Sequence, residues 1–226
     1  KDYQNLDVPP HPHIGLSTLT YLFEGAILHR DSIGTEMEIT PGAVNWMTAG
    51  KGVVHSERTP ERMRTTDKSL HGLQIWVALP KELEEMEPNF THIEKDELPH
   101  LEQDGVTIKL IAGEVFGRKS PVPVYSPMYF LEIKSTSAQK VKIGEYLFGE
   151  SALYILEGSI KSEENVFEPK QILIANNSNK IFRHSFTAEY FIYDIPSKTV
   201  SSFTTNAIQE PTFSADGTKI SYAFEN

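Results

Sequence analysis

The 226 residues of this chain include no cysteine. Disulfide bonds, thiolate metal sites, iron–sulfur clusters and thiol catalysis are therefore excluded within this sequence. Long hydrophobic runs are also missing, since no apolar segment approaches the roughly 20 residues that a membrane helix needs. Residues 1–5, Lys-Asp-Tyr-Gln-Asn, lack the apolar core of a secretory signal. We expect a cytoplasmic protein that does not associate with membranes.

Positive charge is scarce as well. The chain carries 21 Lys and Arg against 31 Asp and Glu, for a net charge of −10. A protein that binds nucleic acid directly needs a basic surface to neutralise phosphates, so we expect no direct nucleic-acid partner. The sequence also contains no Gly-x-Ser-x-Gly, Walker A or dinucleotide-binding motif. The common hydrolase, NTPase and dehydrogenase classes are therefore not indicated.

The segments that are present are typical of β-strands. Short stretches rich in β-branched and aromatic residues alternate with scattered glycines and prolines, 14 of each. Examples are Leu19-Thr20-Tyr21-Leu22-Phe23, Leu73-Gln74-Ile75-Trp76-Val77 and Met128-Tyr129-Phe130-Leu131-Glu132-Ile133. This spacing is typical of a β-sandwich or β-barrel. We predict an all-β fold.

A short internal repeat suggests two similar barrels. Residues 21–25 read Tyr-Leu-Phe-Glu-Gly and residues 154–158 read Tyr-Ile-Leu-Glu-Gly. Because the pattern of a strand followed by a Glu-Gly turn occurs twice, it favours two β-barrels in tandem. The proline-containing stretch 113–127 would connect them. We expect one domain at 1–115 and a second at 116–226.

Two pairs of polar residues carry the chemistry. His11 and His13 are separated by one residue, as are His55 and Glu57. On extended strands each pair points to one face, roughly 7 Å apart. If the strands are neighbours, the four side chains aim at one point, and imidazoles with a carboxylate suit iron, manganese, cobalt, nickel, copper or zinc. The spacing alone is equally compatible with solvated or core histidines.

The second repeat lacks these ligands. The positions equivalent to the four candidate ligands are Gly144, Tyr146, Arg183 and Ser185, with His184 as a lone histidine nearby. We therefore expect a second barrel without metal.

Several longer runs resemble the pirin family. They are His11-Pro12-His13-Ile14-Gly15, Thr20-Tyr21-Leu22-Phe23-Glu24-Gly25, His29-Arg30-Asp31-Ser32, Trp46-Met47-Thr48-Ala49-Gly50-Lys51-Gly52-Val53-Val54-His55-Ser56-Glu57 and His71-Gly72-Leu73-Gln74-Ile75-Trp76-Val77. The resemblance is dense from about Val8 to Pro80 and thin afterwards, and residues 196–226 resemble no family that we recognise.

The resemblance implies two tandem cupin barrels of jelly-roll type, with one iron in the N-terminal barrel and a degenerate, metal-free C-terminal barrel. The ligands of this iron would be His11, His13, His55 and Glu57. Some pirins are quercetin 2,3-dioxygenases, which implies Fe(II), a flavonol substrate and Glu57 as ligand and general base. Others are nuclear cofactors of transcription regulators, which leaves a second hypothesis of an iron-dependent, redox-sensitive module that binds a regulator or enzyme.

The predicted roles of three other residues in these runs are less specific. We expect a structural role for His29. His71 is either structural or a partner that orients a ligand through a hydrogen bond. The resemblance favours a position for Gln74 inside the cavity.

Overall fold

The computed structural model describes residues 4–162, 165–169, 171–182, 185–202, 208–213 and 220–223. The chain forms two compact units, residues 1–135 and 136–226. The expected boundary after residue 115 falls inside the first unit, because the strand Tyr129–Ser135 pairs with the strand Val106–Val115. Within the described ranges, the helices are single short turns, too short to cross a membrane.

Strands dominate the first unit, and the prediction of an all-β fold is confirmed. They are β1 (Asp7–His13), β2 (Leu16–Glu24), β3 (Ile27–Asp31), β4 (Glu36–Ile39), β5 (Val44–Thr48), β6 (Val53–Arg58), β7 (His71–Ala78), β8 (Asn89–Ile93), β9 (His100–Gln103), β10 (Val106–Val115), β11 (Arg118–Lys119) and β12 (Tyr129–Ser135). Short 3-10 helices lie at Glu61–Met63 and Lys81–Leu83.

The first eight strands form two antiparallel four-stranded sheets. Sheet A has the order β1-β6-β3-β4 and sheet B the order β7-β2-β5-β8. The chain passes repeatedly between the sheets, so sequential strands such as β1 and β2 lie in different sheets, as in a jelly roll. Strands β1 and β7 are the edge strands at one end of each order, and both carry candidate functional residues.

The central strands of sheet B are buried on both faces. One face contributes to a core cluster whose buried members are Leu19, Tyr21, Val44, Trp46, Ile93, Leu98, Ile111, Ala112 and Val122. On the other face, Leu22 packs with Ile39, and Met47 packs with Val53. Both of these partners belong to sheet A or its strand ends, so the second face closes the sandwich. Because both faces are covered, the polar side chains of β2 and β5 are buried as well, namely Ser17, Thr18, Thr20, Asn45 and Thr48.

The turn before β6 requires glycine. Gly50 has a φ of +49°, and a Cβ there would lie 2.0 Å from the carbonyl oxygen of Met86. Its own carbonyl accepts the N–H of Gly15 at 2.8 Å. This close packing fixes where β6 begins and therefore where His55 enters the sandwich.

The second unit is also built of antiparallel strands. They are β13 (Ser151–Tyr154), β14 (Ile160–Ser162), β15 (Asn165–Phe167), β16 (Gln171–Phe182), β17 (Ser185–Asp194), β18 (Thr199–Ser202), β19 (Ile208–Phe213) and β20 (Ile220–Ala223), preceded by a 3-10 helix at Gly144–Tyr146. The main sheet has the order β13-β16-β17-β19-β20, with β18 also on β17. Arg183 and His184 lie outside the described residues. A second cupin barrel without metal stays a prediction.

Candidate metal centre

The register of β1 against β6 brings the two sequence pairs together. His11 lies directly opposite His55, and His13 lies opposite Val53. Strand β1 contains Pro9, Pro10 and Pro12, which an edge strand tolerates because one side of its backbone needs no ladder donors. The register shifts at the Pro9-Pro10 step, and this irregularity precedes the two histidines.

Three histidines form a compact cluster between the sheets. The ring centroids are 5.0 Å apart for His11 and His13, 4.4 Å for His11 and His55, and 4.9 Å for His13 and His55. One ring nitrogen from each side chain lies within 4.8 Å of the others. His13 and His55 are buried, with 6% and 1% of their surface exposed.

The hydrogen bonds of these rings leave one face of the cluster free for a metal ion. The Nδ1 of His11 lies 3.0 Å from the carbonyl oxygen of Pro9, so Nδ1 is the donor and Nε2 is bare. The Nε2 atoms of His13 and His55 are buried without a hydrogen-bond partner among the described residues. Buried polar atoms normally have partners, and metal-binding imidazoles typically use the other nitrogen for an orienting bond. The three side chains therefore fit a divalent transition metal.

Burial keeps two of the three histidines, His13 and His55, neutral. Burial, followed by the neighbouring rings of His29, His11 and His13, lowers the pKa of His55 to about 3. Burial and the proximity of His11 also lower the pKa of His13. Neutral imidazole is the form that binds metal, so these two ligands are ready to bind at neutral pH.

Glu57 lies beside this group and not within the set of three close ligand atoms. Because β1 and β6 run antiparallel, His13 and Glu57 lie on opposite sides of the His11–His55 pair. The Oε1 of Glu57 accepts a 2.7 Å hydrogen bond from the Nε2 of Gln74 on β7. Glu57 as a fourth ligand stays a prediction.

Burial also changes the acidity of Glu57, of which 7% is exposed. Its pKa is raised because burial outweighs the opposing effects of His29, the Gln74 hydrogen bond and His11. A carboxylate with a raised pKa is a stronger base than one in water. Gln74 also lies 3.3 Å from the Oγ1 of Thr20, which orients its amide towards Glu57. This contact places Gln74 beside the cluster, inside the sandwich.

Two further polar residues, His29 and Asp31, lie behind the cluster. A structural role was predicted for His29, and its Nδ1 lies 3.3 Å from the Nδ1 of His55. Its Nε2 lies 3.0 Å from the Oδ2 of Asp31. The signal was present in the sequence, because His29 and Asp31 have the same one-residue spacing as His55 and Glu57. His71 instead contacts Phe23, with ring centroids 5.1 Å apart.

The cluster lies beside an exposed aromatic side chain. Trp76 of β7 meets His13 edge-on, with ring centroids 5.1 Å apart, while 64% of its surface is exposed. Gln74 on the same face of β7 is also exposed. Side chains that point between the sheets and still reach solvent show that the sandwich is open at this edge.

Comparisons with known proteins indicate which family the chain resembles. Residues 1–77 match the family model described as Pirin. The chain is 47% identical over 186 residues to a pirin-like protein of Caulobacter vibrioides, covering 80% of this chain and 62% of that protein. Both matches support a protein of the pirin family.

Two other similar proteins are named as enzymes. A putative quercetin 2,3-dioxygenase of Pseudomonas aeruginosa is 39% identical, covering 69% of this chain and 48% of that protein. The crystal structure of a quercetin 2,3-dioxygenase from Acinetobacter baumannii is 38% identical, with a TM-score of 0.62, covering 68% of this chain and 50% of that one. This chain thus spans about half the length of these relatives.

The C-terminal part matches a different family model. Residues 167–226 match the model described as the N-terminal region of dipeptidyl peptidase IV. This range includes residues 196–226, for which the sequence itself suggested no family. In the described part of this range, β16, β17 and β19 are successive antiparallel neighbours.

Proposed function

We propose that this chain is a metal-dependent flavonol 2,3-dioxygenase of the quercetin type, with Fe(II) held by His11, His13 and His55 and completed by Glu57. The observation that carries the proposal is the buried histidine cluster, two of whose Nε2 atoms have no partner among the described residues. The names of the Pseudomonas and Acinetobacter relatives support the substrate class. A cytoplasmic location fits this function and stays a prediction.

The bound metal would supply a positive charge that favours the deprotonated form of a substrate hydroxyl. Glu57 would take up that proton. Its raised pKa brings its basicity closer to that of the hydroxyl, and the hydrogen bond from Gln74 to Oε1 holds its carboxylate in place. The second oxygen, Oε2, is then the atom that accepts the proton.

Trp76 provides a surface for a planar substrate. Its ring lies beside His13 and is largely exposed at the open edge of the sandwich. An aromatic ligand that reaches the histidines from this edge would pass the indole ring, and aromatic pairs in offset or edge-on contact gain roughly 0.5–1.5 kcal/mol beyond burial. We therefore assign Trp76 to the wall of the flavonol pocket.

The experiment combines metal analysis with dioxygen uptake. The full chain, loaded with Fe(II) under anaerobic conditions, should contain about one ion and consume dioxygen when quercetin is added. Glu57→Gln keeps the size of the side chain and removes its charge. If Glu57 is the base, this variant loses rate at full metal occupancy, most steeply at low pH; if it is only a ligand, metal content and rate fall together.

The matched control is Glu87→Gln, which removes the same charge from an exposed carboxylate that pairs with Lys51. It should leave metal content and rate unchanged. Absence of dioxygen uptake above buffer with a range of flavonols, in fully Fe(II)-loaded protein, would refute the dioxygenase. That result would favour the redox-sensitive binding module, whose test is iron-dependent binding to a regulator or enzyme.

A further inference from the structure

A buried chain of hydrogen bonds extends from His55 away from the metal cluster. The Nδ1 atoms of His55 and His29 are 3.3 Å apart, and the Nε2 of His29 is 3.0 Å from the Oδ2 of Asp31. The exposed fractions are 1% for His55 and 4% for His29, and the Asp31 side chain is fully buried. Water is therefore excluded from all three groups.

The donors and acceptors in this series of hydrogen bonds can be assigned by starting from Asp31. The Oδ1 of Asp31 accepts the backbone N–H groups of Ile33 at 3.1 Å and Thr35 at 2.9 Å, as an ionised carboxylate does. Oδ2 then accepts the Nε2–H of His29. A neutral His29 with its proton on Nε2 has a bare Nδ1, which must accept a hydrogen bond.

The consequence falls on His55. Its Nδ1 donates to His29, so its own neutral ring carries no proton on Nε2. That Nε2 is one of the buried nitrogens without a hydrogen-bond partner among the described residues. The reverse assignment would set the lone pair of His29 Nε2 against the Asp31 carboxylate and would place a proton on the nitrogen that faces the cluster.

We propose that His29 and Asp31 are positioning residues that fix His55 in the tautomer with a bare Nε2, the form that binds metal. This inference rests on the metal site proposed above. His29 is itself held in place: Phe90 packs on its ring at a centroid distance of 4.6 Å. The register of β3 against β6 places Asp31 opposite His55. His11 reaches the same tautomer with a single bond to the carbonyl oxygen of Pro9.

Asp31→Asn tests the proposal because it reverses the direction of the hydrogen bonds from residue 31 through His29 to His55, while the side chain at position 31 keeps its shape. The amide oxygen can still accept the two backbone N–H groups, while the new NH2 group donates to His29 Nε2. His29 must then carry its proton on Nδ1 and donate to His55, whose proton moves to Nε2. A triad aspartate replaced by asparagine causes the same tautomer error in serine proteases.

Two measurements on the full chain read out this reversal. Nitrogen-15 NMR of the metal-free protein at pH 8 reports which ring nitrogen is protonated: Nε2 of His29 and Nδ1 of His55 in the wild type, and the opposite nitrogens in Asp31→Asn. Titration with Co²⁺, followed by its visible absorption, should show binding at least 10-fold weaker in the variant. Loss of a residue that orients a metal ligand typically lowers metal affinity 10–100-fold.

The control is Asp96→Asn, the same change at an exposed turn residue, which should keep the wild-type Co²⁺ affinity. A wild-type His29 with its proton on Nδ1 would overturn the proposal, and this measurement needs no variant to fold. Co²⁺ affinity within about twofold of wild type in Asp31→Asn, with tautomers reversed, would also overturn it. If the wild type binds no Co²⁺, the proposed metal site fails, while the tautomer measurement still decides the pairing of His55, His29 and Asp31.

Discussion

Acidification should destabilise the metal-free protein because His55 becomes protonated when the protein unfolds. This loss of stability should begin well above the pH at which most carboxylates are protonated. Burial holds the pKa of His55 near 3 in the folded protein, against 6.5 in the unfolded chain. Between these values the unfolded state binds a proton that the folded state does not, so stability falls as the pH falls from about 6.5 towards 3. From the two pKa values, the loss at pH 5 relative to pH 8 is about 2 kcal/mol, with a slope approaching about 1.4 kcal/mol per pH unit.

Other groups in the site modify this slope. The lowered pKa of His13 acts in the same direction. The raised pKa of Glu57 acts in the opposite direction, because a protonated carboxyl stabilises the fold at low pH and this contribution is lost as the pH rises. A comparison with His55→Asn isolates the His55 contribution, since the variant retains a donor to His29 but does not titrate.

The assay is urea unfolding of chelator-treated protein at several pH values, followed by tryptophan fluorescence. Both tryptophans of the chain, Trp46 and Trp76, lie in the first unit, so the signal reports on the unit that contains His55. We expect the free energy of unfolding to fall between pH 7 and 5 by about 2 kcal/mol more in the wild type than in His55→Asn. Equal pH slopes for the two proteins would show that His55 is not buried as a neutral ring.

Three further predictions concern the substrate wall, the turn before β6 and nucleic acid. Trp76→Ala should raise the KM for quercetin about 2–10-fold with metal content unchanged, as roughly 0.5–1.5 kcal/mol of ring contact is lost, while Trp76→Phe should recover most of the affinity. Gly50→Ala should lower the free energy of unfolding by about 3 kcal/mol or more, because its Cβ meets the Met86 carbonyl. The control Gly117→Ala, at φ +65° with open space around it, should cost only about 1–2 kcal/mol; equal losses would contradict the clash. With a net charge of −10, the purified chain should give no competitor-resistant shift of duplex DNA at physiological salt.

Much of the first unit follows from local sequence signals. Alternating and continuous apolar runs predict strands because the side chains of a strand point alternately to its two faces. The same geometry places His11 and His13 on one face of a strand, and His55 on one face with Glu57. The long run from Trp46 to Glu57 was specific enough to indicate the family. These conclusions need only short-range geometry, so they survive without knowledge of which strands are neighbours.

The register of strands was not predictable in this way. Whether His55 meets His11 or His13 depends on how β1 pairs with β6, and the Pro9-Pro10 step shifts that register. The antiparallel pairing also carries Glu57 away from His13 and towards Gln74 of the opposite sheet. No spacing along the chain reports this separation, because it is set by contacts between strands far apart in sequence.

The sequence by itself determined the all-β class, the family and the three histidines, because strand periodicity and contiguous motifs are local properties. Only the tertiary structure decided how those histidines are supported. His29 and Asp31 become partners of His55 because β3 pairs with β6 in one particular register. The tautomer of His55 then follows from a buried carboxylate 24 residues earlier in the chain. Such a role depends on hydrogen bonds between strands, and these exist only once the sheets have formed.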